Sequence, residues 1–240
     1  MALLHSFTGH LCATIDGNNR NGNAANRRGP RGTDRHDRAA ATIANEEATM
    51  KKSLGAESII FPNPVLVVGT YDITGKANAV TLAWGGIACS NPPAVSIAVR
   101  PSRHSHEALV RTKAFTVNLP SVEQAAYADY FGIVSGRDVD KFRATGLTPV
   151  RGERVDAPYI EEFPYNLECK VTHSLELGTH TLFIGEVVDV KIDQTYVDEN
   201  GKASWEAARL LSFDSRGRLY RAPGEVVADA YSVGRRWMAR

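Results

Sequence analysis

From about residue 58 onward, apolar and polar positions follow the pattern of a β protein. The runs V-L-V-V-G-T-Y (65–71), A-V-T-L-A-W (79–84), A-V-S-I-A-V (94–99) and A-F-T-V-N-L (114–119) are short and rich in β-branched residues, which suit a pleated, half-buried surface. Turn-forming residues separate them, notably Pro62-Asn63-Pro64, Thr74-Gly75-Lys76 and Asn91-Pro92-Pro93. The clearest alternation lies in 167–177. There Leu167, Cys169, Val171, Leu175 and Leu177 interleave with Glu168, Lys170, Thr172, Ser174 and Glu176, and only His173 breaks the apolar side. This predicts a strand with one dry and one wet face. After Gly178-Thr179 a second strand is expected over 180–192, with Leu182, Ile184, Val188, Val190 and Ile192 sharing a face that Glu186 interrupts. The two strands should form a long antiparallel pair.

Helical signals are fewer. Ser121 can cap a helix, with Gln124 at the capping-box position. The segments Ser102–Arg111 and Ser135–Thr145 also read as short helices. Many closely spaced strands with helices as insertions favour a β-barrel or β-sandwich over an alternating βαβ sheet. The expected fold class is therefore mainly β with short helices, in one domain spanning residues 50–240.

Composition changes this picture mainly at the N-terminus. Residues 1–49 hold six arginines and no lysine, and all eight lysines lie at or after Lys51. Positions 16–38 are dominated by Gly, Asn, Arg and Asp, with almost nothing to bury, so a disordered leader is expected there. Acidic Asp16, Asp34 and Asp37 argue against a mitochondrial-type presequence, and no secretory apolar run is present in the segment. Met50, followed by K-K-S-L-G, reads as an alternative start of translation. Across the 240 residues the net charge is only +1, which argues against a general nucleic-acid binder. No stretch approaches 18 consecutive apolar residues, so no membrane-spanning helix is expected. Cys12, Cys89 and Cys169 are too few and too widely spaced for a disulfide scaffold or a zinc site.

Candidate chemistry is sparse. Gly69 to Ala77 looks at first like a phosphate-binding P-loop. However, the glycine spacing is one residue too long and Ala77 supplies no hydroxyl, so a hairpin turn at Gly75 is expected instead. His104 and His106 are two apart, the wrong spacing for two metal ligands on one helix face. There is no G-x-S-x-G elbow. Two segments stand out. Arg100-Pro-Ser-Arg-His-Ser-His-Glu107 joins a strand to a helix start. There, free N–H groups, hydroxyls and arginines could cradle an anion, or Ser102 could simply cap a solvated helix. Residues 79–93 end a strand at Trp84 and continue through Gly85-Gly86. That arrangement gives either main-chain access for a flat ligand or a plain bulge.

Taken in order, the segments resemble the flavin reductase-like family of FMN-binding split β-barrels, and within it the flavoredoxin branch. The motifs that carry the resemblance are Asn78–Trp84 with Cys89-Ser90-Asn91-Pro92-Pro93, the Arg100–Ser105 turn, and Phe115–Pro120. Ser135-Gly136 with Asp140-Lys141-Phe142, Gly178-Thr179-His180 and Gly185-Glu186-Val187 complete the set. Over residues 50–225 the resemblance implies a six-stranded, Greek-key-like barrel that forms a homodimer, with FMN at the subunit interface. It implies that Thr81, Leu82, Ala83 and Trp84 lie along the isoalloxazine ring and that Cys89 and Ser90 approach the ribityl or phosphate end. Ser102, Arg103, His104 and Ser105 would hold the phosphate, with help from Lys141. His180 would be the catalytic residue beside the flavin and the incoming nicotinamide; relatives carry Asp where this chain has Thr179.

The function so implied is an NAD(P)H-dependent FMN oxidoreductase. NADH or NADPH would be a transient reductant, and a protein or small molecule the acceptor. No nucleic-acid or membrane partner is implied, and the location is cytoplasmic. The chain has no G-x-G-x-x-G after a strand, so any nicotinamide must stack in the flavin pocket. An FMN electron carrier reduced by a partner protein is the first alternative. A barrel that binds another cofactor, such as haem, is the second.

Overall fold

The computed structural model describes residues 51–238. The leader expected over 1–49, and Met50, lie outside them. Glu57–Arg240 form one compact unit. In chain order its strands are β1 (Asn63–Pro64), β2 (Leu66–Tyr71), β3 (Ala77–Leu82), β4 (Gly85–Ser90), β5 (Pro93–Val99) and β6 (Ala114–Leu119). Next come β7 (Pro149–Arg151), β8 (Pro158–Ile160), β9 (Tyr165–Leu177), β10 (His180–Ile192), β11 (Ser212–Asp214) and β12 (Leu219–Arg221). The α-helices are α1 (His104–Thr112), α2 (Ala125–Ile133), α3 (Lys141–Thr145) and α4 (Trp205–Ala208).

Seven strands form one sheet in the order β3-β2-β6-β9-β10-β5-β4, and every pairing in it is antiparallel. This is one strand more than the six expected, because the chain bends at Ala83-Trp84 and divides residues 77–90 into β3 and β4. One apolar cluster joins Leu66, Val68 and Val80 from one end of the sheet to Ile97 and Val99 near the other, with Phe115, Val117, Cys169 and Phe183 between them. Strands distant in the hydrogen-bonding order can share one cluster only if the sheet curls around it, so this cluster is the barrel interior. The opposite faces of β2 and β3 present Val67 and Ala79, with Val65 just ahead of β2, to Phe131 of α2, Phe142 of α3, Ile160 and Phe163. β2 is buried on both faces, which explains its near-continuous apolar run.

Two expected features hold closely. Gly75 adopts φ +81 in the β2–β3 turn, the left-handed conformation that a glycine tolerates without steric cost. Gln124 Oε1 accepts from the Ser121 N–H at 2.9 Å, the capping-box contact. Two helix boundaries differ. The expected helix over 135–145 is only Lys141–Thr145, because the Asp140 carboxylate caps it by accepting from the Arg143 N–H at 3.1 Å. α1 begins at His104 with Arg103 at the N-cap, so Ser102 precedes the helix and does not cap it.

The single dry face expected along β9 is also corrected. β9 and β10 pair along their whole length, but the register shifts between Ile184 and Gly185, where β9 carries the extra residue Thr172. An extra residue in a strand reverses which side chains face inward. Cys169 therefore lies in the barrel, whereas Leu175 and Leu177 are 58% and 50% exposed. On β10 the buried positions are Thr181, Phe183 and Gly185, the face opposite to Leu182 and Ile184. Glu168, expected on the wet face, is fully buried under the 152–157 segment.

Candidate functional site

Two clefts share one wall, and Arg103 lines both. The wider has a volume of about 550 Å³. Along one side run Thr81, Leu82, Ala83 and Trp84, where β3 ends and the chain turns into β4. The Thr81 hydroxyl donates to the Ala128 carbonyl of α2, which fixes the strand against the helix. The Trp84 carbonyl accepts from the Ala98 N–H at 2.8 Å, so this corner stays tied to β5 while the indole remains 43% exposed. Such a corner offers an aromatic side chain beside a short length of strand backbone.

His180 lines the same cleft at the first residue of β10. Its Nδ1 lies 2.9 Å from the Thr179 hydroxyl, and Arg100 Nε donates to its Nε2 at 3.5 Å. With Nε2 accepting, the ring proton sits on Nδ1 and is donated to Thr179. Burial, and then the neighbouring Arg100 guanidinium, lower the His180 pKa below the ordinary histidine value. The ring is therefore neutral at neutral pH. The Thr179 hydroxyl thus fixes the orientation of the ring.

The narrower cleft, about 230 Å³, is lined by Ser102, Arg103, His104, Ser105 and Lys141 together with Asn78, Gly136 and Arg137. Five residues expected at a phosphate site thus come together. Arg103 N–H donates to the Arg100 carbonyl at 2.9 Å, closing the turn that leads into α1. Ser105 is buried and its Oγ accepts from Asn78 Nδ2 at 3.0 Å, which leaves its own proton free to donate. Arg137 Nη1 donates to the Ser102 carbonyl at 3.0 Å and holds the turn from the far side. A side chain at position 136 would collide with the Asn78 amide, so only glycine lets this wall approach so closely. His104 Nε2 points instead toward Asp72 Oδ2, 3.8 Å away. His106 bonds the Thr181 hydroxyl at 2.9 Å and packs edge-on against Phe183, a packing role.

Lys141 is the least ordinary group here. Its ammonium is buried and donates to the carbonyls of Ala79 and Phe131, both at 2.8 Å, linking β3 to α2. Desolvation, and then the nearby Arg103, lower its pKa to about 8. Among the described residues, the side chain of Arg103 makes no ion pair or hydrogen bond, and no carboxylate pairs with Arg100.

Cys89 and Ser90 are placed elsewhere. Both are exposed on β4, the last strand of the sheet, and they line neither cleft. The structure adds Asn78, Gly136 and Arg137 to the narrow cleft, and Asp129, Arg218 and Tyr220 to the wide one. Asn78 carried a signal, being an amide inside a mainly apolar strand. The others become neighbours only through the tertiary fold. No group of three or more potential metal ligands occurs among the described residues, and no described helix is long and apolar enough to cross a membrane.

The chain is thus a curled antiparallel barrel with a cleft walled by the end of β3 and, beside it, a cationic turn leading into α1. The family model described as the flavin reductase like domain matches residues 58–216, and the chain belongs to that family, with its split-barrel fold. It is similar to the flavoredoxin of Desulfovibrio vulgaris (Miyazaki F), at 43% identity and a TM-score of 0.73 over 77% of this chain and 100% of that one. The flavoredoxin from Methanosarcina acetivorans matches at 30% identity and a TM-score of 0.73, covering 78% of this chain and 99% of that one. The reductase component of a 4-nitrophenol 4-monooxygenase/4-nitrocatechol 2-monooxygenase from Rhodococcus opacus is 30% identical over 126 residues, 52% of this chain and 63% of that protein.

Proposed function

We propose that this protein is an FMN-dependent oxidoreductase in which NADH or NADPH is the transient reductant. The observation that carries the reading is that two neighbouring clefts have Arg103 in common. The wide one is walled by Thr81–Trp84, and in the narrow one Ser102, Ser105 and Lys141 lie beside the unpaired charge of Arg103. The residues present fit the cofactor on chemistry alone. Arg103 with the free proton of Ser105 suits a phosphate dianion, and the backbone and indole at 81–84 suit a flat heteroaromatic ring. Bound there, FMN would supply the two-electron chemistry, taking hydride from the nicotinamide and passing electrons to a protein or small-molecule acceptor.

The protein's own part is to bind, orient and set charge. Arg103 and Ser105 anchor the phosphate, while Lys141 holds β3 at a fixed distance from α2. Burial, and then Arg100, keep the His180 ring neutral, and Arg100 holds its Nε2 toward the guanidinium, so His180 would present an uncharged edge to the nicotinamide. The reductase component among the relatives supports a reductase role. The 43% identity to a flavoredoxin supports the second reading, an FMN electron carrier reduced by a partner protein. A homodimer belongs to the proposal too. Leu175, Leu177 and Ile87 are 58%, 50% and 86% exposed on the single chain, an unusual apolar display that a second copy would cover. We place the protein in the cytoplasm, where Cys89 and Cys169 would stay as the free thiols they are here.

Anaerobic stopped-flow mixing of the FMN-loaded protein with NADH and NADPH tests the proposal. Bleaching of the flavin absorbance by at least one nucleotide, with a rate that saturates, is expected. Bleaching no faster than buffer autoreduction would reject the reductase reading in favour of the carrier.

A further inference from the structure

The wide cleft is closed on one side by the β11–β12 hairpin, which carries three arginines. Two are paired within the protein: Arg216 lies 3.5 Å from Glu57, and Arg221 lies 3.2 Å from Asp214. The third, Arg218, has no ion pair or side-chain hydrogen bond among the described residues, and it lines the cleft together with Arg100, Arg103 and His180. Its backbone is left-handed, with φ 53, a conformation that L-residues other than Asn and Asp rarely adopt. Such an outlier persists only where its surroundings fix it.

Those surroundings are explicit. Asp214 Oδ1 accepts from the N–H groups of Arg216 and Gly217 at 3.1 and 2.8 Å, which closes the hairpin turn. The Tyr220 hydroxyl donates to Asp129 Oδ1 at 3.1 Å, fastening the hairpin to α2. Burial, reinforced by the Asp129 carboxylate, raises the Tyr220 pKa to about 12, so this bond survives across the physiological range. The one carboxylate in the cleft is thereby already engaged. The family match ends at residue 216, so Arg218 and its Tyr220 anchor lie beyond the shared domain.

We propose that Arg218 is a second anion-binding residue, which receives the phosphate groups of the nicotinamide dinucleotide at the mouth of the wide cleft. This rests on the reductase reading above. The single phosphate of FMN is matched by the narrow cleft, on Arg103 and Ser105. Arg218 stands apart on a different element, where it would serve a second anionic ligand that enters after the cofactor. A dinucleotide brings at least two phosphate charges, which an arginine fork can engage bidentately. As a binding residue on the reductant side, Arg218 sets affinity for the nucleotide and leaves the chemistry to the groups around His180.

The test uses the full FMN-loaded chain, with NADH and NADPH as probes, in anaerobic stopped-flow over a range of nucleotide concentrations. Arg218→Gly keeps the left-handed backbone and removes only the side chain. Its apparent Kd for the nucleotide should rise about tenfold, while FMN content as purified does not change. The salt dependence of Kd should flatten, because one screened charge contact is gone. Arg218→Lys should recover part of the affinity. Wild-type Kd values in Arg218→Gly for both nucleotides would overturn the assignment of Arg218 alone. A wild-type flavin that neither nucleotide reduces would overturn the reductase reading, and this inference with it.

Discussion

The long β9–β10 pair carries a charge cluster at each end, and the two are built on opposite principles. Near one end Glu168 is buried with every strong partner inside the protein. Its carboxylate accepts from the N–H groups of Glu153, Arg154 and Val155 and lies 3.0 Å from Lys191 Nζ, which also holds Asp189 at 2.6 Å. At the other end His180 sits with Arg100 and the Arg103 turn, where positive charges outnumber their partners. A buried charge that is fully matched within the chain holds the fold together. Around the cleft the cations outnumber the carboxylates, and the one carboxylate there, Asp129, is already engaged by Tyr220, so positive charge is left unanswered within the chain. Charge at a site is therefore informative only alongside a tally of what answers it.

The sharpest way to break this comparison is Glu168→Ala. Three N–H groups and Lys191 would lose their acceptor, and a destabilisation of about 3–5 kcal/mol is expected in chemical denaturation. Burial raises the Glu168 carboxyl pKa, but the Arg154 N–H, Lys191 and the Glu153 N–H outweigh it, so the net value is below the ordinary one. Its contribution is therefore present above the unfolded glutamate pKa and lost as pH falls through the lower folded value. Glu168→Gln should flatten the acid limb of the stability profile. A loss under 1 kcal/mol in Glu168→Ala would refute the structural role.

Arg103→Ala is the counterpart at the other end. FMN affinity should fall by about 1.5–3 kcal/mol, while stability without FMN moves by no more than about 0.5 kcal/mol. Isothermal titration alongside denaturation separates the two. A variant that loses stability and keeps its FMN affinity would reverse the comparison.

A smaller effect is expected from pH. Lys141, with a pKa of about 8, is charged below that value and neutral above it. Its attraction for a phosphate is thus present at lower pH and fades as pH rises through about 8, so FMN affinity should decline over that window. Lys141→Met should bind more weakly and show no such decline in fluorescence titrations.

Thr179→Val should matter least. It removes the partner of His180 Nδ1, and a neutral hydrogen bond of about 0.5–1.5 kcal/mol corresponds to a two- to tenfold slower nicotinamide reduction. Unchanged kinetics would show that Arg100 alone orients the ring.

Much of the fold was legible from local pattern. β6 and β10 match their expected runs at both ends, because β-branched alternation and turn residues act over a few positions. The face assignment on β9 failed at Leu175 and Leu177, since the extra residue at Thr172 reverses the alternation and no local feature marks it. Glu168 misled for a related reason: the segment that buries it lies 11 to 16 positions earlier in the chain. The turn at 102–105 was legible because its residues are contiguous. Arg137, Asp129 and Tyr220 were not, because only tertiary packing brings them to the clefts. Cys89 and Ser90, which the resemblance implies at the ribityl or phosphate end, lie on β4 after the bend at Ala83-Trp84 and line neither cleft.

The central claim is that the two clefts flanking Arg103 hold one FMN. The direct measurement is the visible absorption spectrum of the full chain after addition of FMN and desalting. The expected result is a yellow protein that retains close to one FMN per chain. A colourless protein that releases all added FMN would contradict the account.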